Sequence, residues 1–231
     1  MGGRGRRVGL PVTSPEALPA TPVFAEAYRH ALRGEPCLVH GVDGVDRPPH
    51  RLPLAAWSAA ARSSDRRLLA HCVGATLDIG CGPGRMSEHL AQRGGSVLGI
   101  DVVAEAVRQT RARGVGALVR DVFDPLPGEG RWDTALLADG NLGIGGDPAR
   151  LLRRIHQLLA PHGRVVADVA APGAGVRTRE VTLECAGRRS EPFPWTFVGA
   201  ERVGSLAVLT GFSVTLLDRI GARWFVVLEK V

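Results

Sequence analysis

Short apolar runs and longer amphipathic stretches take turns along most of this chain. Val73 to Ile79 is brief, mostly apolar and stopped by glycine, the pattern of a buried strand in a parallel sheet. Met86 to Arg93 carries apolar residues at Met86, Leu90 and Ala91 and ends at Gly94-Gly95, which predicts a helix with a glycine terminator. The alternation continues with strands over Ser96–Ile100, Ala117–Arg120, Thr134–Ala138 and Gly163–Val169. Between them lie a helix over Ala104–Arg113, closed by Gly114, and one running from a cap at Asp147-Pro148 to Ala160. Strand and helix in turn mean an α/β, doubly wound, mostly parallel sheet, whose ligands bind outside the carboxyl ends of the strands.

Both flanks depart from this rhythm. Gly173 to Pro194 is polar and glycine-containing, with Val181–Cys185 as an inserted strand, and Phe193-Pro194-Trp195-Thr196-Phe197 gathers aromatics. Trp195 is either core, the commoner use of an aromatic, or the wall of an apolar substrate pocket. A helix over Arg202–Thr210 precedes Phe212–Asp218 and Arg223–Leu228, two strands joined by a short turn, hence an antiparallel hairpin that completes seven strands. At the other end, residues 1–20 are rich in Gly, Pro and Arg and read as a loose tail. Thr21-Pro22 caps a helix with Phe24, Ala27, Tyr28, Ala31 and Leu32 on one face; Gly41–Pro53 reads as a loop. Leu54–His71 is a second helical region that Ser63-Ser64-Asp65 interrupts as a new cap. The expected organisation is a tail (1–20), an N-terminal helical cap (21–72) and a main domain (73–231).

Composition changes this picture little. The net charge of +6 comes from scattered arginines with Lys230 as the sole lysine, and no basic stripe with interleaved aromatics marks a nucleic-acid face. Four cysteines lie far apart without a Cys-x-x-Cys pair, which predicts reduced thiols in a cytoplasmic protein, with neither zinc site nor disulfide framework. No run is long enough to span a membrane.

The chemistry centres on Asp78-Ile79-Gly80-Cys81-Gly82-Pro83-Gly84-Arg85. A glycine turn between strand and helix brings bare backbone N–H groups and a helix N-terminus to a ligand. Arg85 stands where the dinucleotide fingerprint requires its third glycine, and no Gly-Lys-Ser/Thr follows for a phosphate loop. The run resembles motif I of the class I S-adenosylmethionine (SAM) methyltransferases, Asp/Glu-x-Gly-x-Gly-x-Gly, matched by Asp78, Gly80, Gly82 and Gly84. The resemblance extends over most of 75–231, with the final hairpin as a further mark of that Rossmann-like methyltransferase fold. It implies SAM as cofactor and cofactor contacts at Asp78, Gly80, Gly82, Gly84 and Arg85. Asp101, with Val102 beside it, ends the second strand roughly twenty residues past the turn, where a carboxylate can accept ribose hydroxyls. Asp121 and the Val122 N–H correspond to the family's adenine clamp; each of these aspartates alone also suits a turn.

The fourth strand runs into Ala138-Asp139-Gly140-Asn141-Leu142-Gly143-Ile144-Gly145-Gly146-Asp147-Pro148. The resemblance places this loop beside the sulfonium, with the Ala138 carbonyl on the cofactor's amino group and Asp139 and Asn141 facing the substrate. It differs from the Asn/Asp-Pro-Pro-Tyr/Phe motif of base- and glutamine-directed enzymes, which points to a small-molecule acceptor methylated on oxygen or nitrogen. An RNA- or protein-directed enzyme, or a SAM-binding protein without catalysis, is the alternative. Methyl transfer needs positioning above all. A hydroxyl acceptor benefits from a general base, for which Asp139 is the candidate. No spacing requires a metal, although Asp139 with Asp168 could hold one.

Overall fold

The computed structural model describes residues 20–31, 35–41 and 48–231; residues 1–19 of the expected tail, Leu32 of the expected first helix and 42–47 of the expected loop lie outside the described residues, and Ala20 begins a helix. The elements begin with α1 (Ala20–Ala31), β1 (Cys37–Gly41), β2 (His50–Arg51), α2 (Leu54–Ser58) and α3 (Ser63–Leu69). The alternating part follows as β3 (Thr76–Ile79), α4 (Arg85–Gln92), β4 (Val97–Asp101), α5 (Ala104–Ala112), β5 (Ala117–Val119) and β6 (Trp132–Leu137). A kinked 3₁₀ segment (Asn141–Gly146) leads to α6 (Pro148–Leu158) and β7 (Leu159–Val169). Then come β8 (Val176–Cys185), β9 (Arg188–Arg189), β10 (Phe193–Val198), α7 (Val203–Leu209), β11 (Phe212–Ile220) and β12 (Arg223–Lys230).

Seven strands make the central sheet in the order β11-β12-β7-β6-β3-β4-β5, parallel from β7 to β5, with the β11–β12 hairpin joined antiparallel. Leu77, Ile79, Ile100, Ala135 and Leu137 are buried on one face beneath α6, whose Leu151, Leu152, Ile155 and Leu158 form its inward stripe. Leu136, Val166, Phe225 and Val227 fill the other face with Leu68 and Met86. The strand order reverses between β3 and β6, so the crevice at their carboxyl ends is the expected ligand position.

A second, antiparallel sheet runs β10-β8-β1-β2, with β9 on β8, and packs against Val23 and Ala27 of α1. The N-terminal segment is therefore not helical only: β2 lies within the stretch read as a loop, β1 lies in the unassigned stretch just before it, and the other partner of β1, β8, comes from the far insertion. Short strands without period-two alternation leave no signal until their partner is known. Gly143 and Gly146 seat this sheet on the central one, because a Cβ on Gly143 would strike the Thr196 carbonyl and one on Gly146 would lie 2.6 Å from Pro194. Thr196 Oγ1 adds a bond to the Gly146 carbonyl at 2.7 Å.

Cys37 faces Cys185 across β1–β8 with Cα atoms 4.5 Å apart, and the two are joined in a disulfide. This corrects the reading of four reduced thiols: a separation of 148 residues hides an antiparallel pairing that brings the two side by side. The thiol-based reason for a cytoplasmic location falls with it. Cys72 and Cys81 are free, and burial pushes Cys72 up to about 12 and Cys81 well above its ordinary value, so both are inert thiols. Among the described residues no helix is long and apolar enough to cross a membrane.

Candidate active site

β3 and β6 deliver their ends to the two sides of the crevice. Asp78, Gly80, Gly82 and Arg85 line one side and Ala138, Asp139 and Asn141 the other, around a cleft of about 50 Å³. Gly84, Asp101, Val102, Asp121 and Val122 do not line this cleft. Asp101 and Val102 lie at and just past the end of the neighbouring β4, and Asp121 and Val122 follow β5.

The glycine turn works differently from its sequence reading. The N–H groups of Gly80 and Cys81 both donate to the Ile100 carbonyl (2.9 and 3.0 Å), and that of Gly82 donates to Asp101 Oδ2 at 2.9 Å. These donors are spent holding the turn onto β4, so they are not bare. Asp101 Oδ1 accepts from Val103 N at 2.8 Å; burial raises its pKa, against the pull of these backbone bonds. Gly84 has φ +87°, and a Cβ there would sit 2.5 Å from Thr110 Oγ1, so its glycine serves the close approach of α4 and α5. Asp121 accepts from Phe123 N at 3.0 Å, an Asx turn on an exposed side chain.

What faces the cleft is acceptor-rich. Asp78 is 1% exposed and accepts from Ser87 Oγ at 2.5 Å; burial pushes its carboxyl up to about 6, with Asp139 and Asp101 adding to the rise. Asp139 adopts φ 55°, a left-handed conformation that Asp tolerates better than most residues, and its N–H donates to Asp168 Oδ2 at 2.5 Å. That turn aims its carboxylate back across the cleft, where Arg85 Nη2 reaches both oxygens at 2.8 and 2.6 Å. Burial raises the Asp139 pKa while Arg85 and Arg223 oppose the rise. Asn141 does not face the acceptor side: its amide donates to the Ile79 and Gly80 carbonyls at 2.8 and 3.0 Å and pins the end of β3.

Three residues complete a charge network that the sequence did not announce. Arg85 Nη1 also pairs with Asp65, which accepts from Arg223 Nη1 at 2.5 Å and from Arg62 N at 2.8 Å. Arg223 is bidentate to Asp168 at 2.6 and 2.5 Å; burial opposes its charge, but Asp168, Asp139 and Asp65 hold its pKa above the usual value. Asp168 is thus committed to a guanidinium and not to a metal beside Asp139. Asp65 reads as a helix cap in sequence, and it does accept the Arg62 N–H; the 158 residues between it and Arg223 hide its second duty. With four carboxylates (Asp65, Asp78, Asp139, Asp168) against two guanidiniums, the ionised cluster is net negative. It therefore favours a cation in the cleft.

Beside the cleft opens a cavity of about 610 Å³, floored by one face of the second sheet and walled by Phe24, Leu52 and Trp57. A third space of about 420 Å³ adjoins both, and Trp57 and Asp139 line all three. Trp195 is half-buried on the floor of the larger cavity, so it is a wall as well as packing.

Residues 76–163 match the family described as a methyltransferase domain. Its curated relatives include the ubiquinone biosynthesis O-methyltransferase of Pseudomonas aeruginosa, 38% identical over 98 residues, which cover 38% of this chain and 41% of that protein. The enzyme of the same name from Pseudomonas paraeruginosa is 36% identical over 98 residues. The chain thus spans about two-fifths of the length of these relatives. The chain shares its fold with a SAM-dependent methyltransferase from Bacteroides fragilis solved with S-adenosyl-L-homocysteine. There the TM-score is 0.77 at 22% identity, over 94% of this chain and 98% of that one. The 1,6-didemethyltoxoflavin-N1-methyltransferase of Burkholderia thailandensis follows at TM-score 0.57, 22% identity, over 96% of this chain and 94% of that one.

Proposed function

We propose that the chain binds SAM across the β3–β6 crevice and transfers its methyl group to an oxygen or nitrogen of a small molecule held in the adjoining cavity. The observation that carries this reading is the acceptor-lined cleft. With the N–H groups of Gly80, Cys81 and Gly82 engaged, a pyrophosphate finds no donors in the turn. A sulfonium and an α-ammonium instead meet Asp78, Asp139 and the Ala138 carbonyl. Arg85 Nε is buried without a hydrogen-bond partner and is the donor left for the cofactor's carboxylate. Asp101 holds the ribose with the lone pairs its two backbone bonds leave over, and Asp121 and Val122 take the adenine edge.

The bound cofactor supplies an electrophilic methyl; the chain's own residues bind, orient and exclude water. Asp139 stands at the junction of cleft and cavity and takes the acceptor's proton where the acceptor has one to lose. Asn141 acts on the cofactor side, by fixing the Gly80 backbone. The relatives' O- and N-methyl names support an oxygen or nitrogen acceptor. The test is calorimetry with SAM and with NADH, followed by transfer of a labelled methyl group to a metabolite extract. SAM binding with no NADH binding, and label in a small-molecule product, is expected; NADH binding or label in protein or RNA would overturn it. Once an acceptor is found, Asp139→Asn should lower kcat by ~10²–10⁴ with SAM affinity much less changed, because it keeps shape and removes the base.

A further inference from the structure

The two lips of the β3–β6 crevice are joined by one ion pair. Arg85 is the first residue of α4, on the β3 lip, and Asp139 follows β6 on the other. Arg85 Nη2 donates to both Asp139 oxygens at 2.8 and 2.6 Å, so the pair spans the crevice from side to side. The residues shared by the cleft and the space of about 420 Å³ are Trp57, Arg85 and Asp139, which makes the pair part of the partition between them. With the pair formed, the cleft of about 50 Å³ has room for little more than one water, whose share of liquid volume is ~30 Å³. Small-molecule sites run to ~300–1,000 Å³.

Three features let this contact part. Arg85 keeps a second hold, Nη1 on Asp65, so its guanidinium stays anchored when Nη2 lets go. Arg85 Nε is buried without a hydrogen-bond partner, so the closed arrangement leaves a donor that a ligand oxygen would satisfy. On the other lip, Gly140 beside Asp139 borders open space, since a Cβ there would meet nothing within 4 Å. What opposes parting is burial: the Arg85 side chain is 8% exposed, so little water reaches Nη2 to replace the carboxylate.

We propose that the Arg85–Asp139 pair is a latch across the crevice, opened by a ligand that carries a carboxylate and an ammonium on one end. Such a zwitterion gives each partner a substitute. Its carboxylate goes to Arg85 Nε and Nη2, its ammonium goes to Asp139, and no buried charge is left unpaired. An uncharged end offers neither substitute and leaves the latch shut. Opening also removes the partition, so that the cleft and the space beyond it become continuous.

The latch rests on the cofactor reading above, because the zwitterion it names is the amino-acid end of SAM; the experiment separates the two. Surface plasmon resonance on the immobilised full chain gives association and dissociation rates for S-adenosyl-L-homocysteine. The control is 5′-methylthioadenosine, which keeps the nucleoside and lacks the amino-acid end. Asp139→Asn removes the latch charge and keeps the left-handed turn, which Asn tolerates as Asp does. Arg85→Gln removes the other half, and thermal melts check that both variants fold. A latch open about one tenth of the time slows association about tenfold, so both variants should take up S-adenosyl-L-homocysteine about tenfold faster than the parent. They should also release it faster, because a ligand contact goes with the latch. The control should associate at one rate with all three proteins. An association rate for S-adenosyl-L-homocysteine that is unchanged in either folded variant overturns the latch, as does an equal acceleration of both ligands. If S-adenosyl-L-homocysteine binds none of the three proteins, the cofactor reading fails and takes the latch with it. If it binds all three at one rate, the cofactor reading stands and the latch alone fails.

Discussion

Asp78 is a carboxylate kept where it weakens the fold. Burial raises its pKa from 3.8 to about 6, and at neutral pH it is nevertheless ionised. Between these two values the folded chain holds a proton that the unfolded chain has released. Stability from this group is therefore greatest below about pH 4, falls as pH rises to about 6, and is then flat. At 1.36 kcal/mol per pKa unit the total is about 3 kcal/mol. Asp78→Asn keeps the shape and still accepts from Ser87, so at pH 8 it should gain up to about 3 kcal/mol. For a chain of this size that is ~6–12 °C in Tm. It should also lose at least tenfold in SAM affinity, because the charge facing the ammonium is gone; in the unaltered chain SAM binding should weaken as pH falls through about 6. Urea and thermal melts at pH 5 and pH 8, paired with SAM calorimetry on both proteins, read all of this. A variant less stable than its parent at pH 8, or one that binds SAM as well, would refute the reasoning.

Asp101→Ala should cost ~1–3 kcal/mol of SAM binding and, because Gly82 and Val103 lose an acceptor, a few degrees of Tm as well; loss of Tm alone would remove Asp101 from the ribose site. Gly84→Ala should destabilise by ~1–3 kcal/mol through φ +87° and the clash with Thr110, and adding Thr110→Ala should return only the clash part. Urea melts of the two variants decide it, and full rescue would mean that backbone strain contributes nothing. Thiol titration in denaturant should find two free cysteines before reduction and four after; four before reduction would show that β1 and β8 are not covalently joined.

The central sheet was legible because its order follows from local signals. Four of its buried runs stop at Gly80, Asp101, Asp121 and Asp139, and the α6 stripe of Leu151, Leu152, Ile155 and Leu158 repeats at helical spacing. The crevice residues at Asp78, Gly80, Gly82, Ala138 and Asp139 were legible for the same reason, as they sit at strand ends. Of the second sheet only the Val181–Cys185 half of β8 was legible, by its alternation; β1 carries no alternation, and the 148-residue separation of their paired cysteines hid the pairing. The Asp65–Arg223 contact was hidden likewise, since ion pairs carry no sequence period. Spacing alone also could not separate a glycine that faces a ligand from one that admits a neighbour, which is why Gly84 and Gly143 proved to be packing positions.

The two segments that build the cavity floor, one before β3 and one between β7 and α7, lie outside every strand that shapes the crevice. On the proposed function, selection can therefore retune the acceptor by rewriting those segments while the crevice strands stay untouched. The disulfide sets one condition on such exchange. Cys37 belongs to the first segment and Cys185 to the second, so a graft that changes the molecule's specificity should move both pieces as one inherited module.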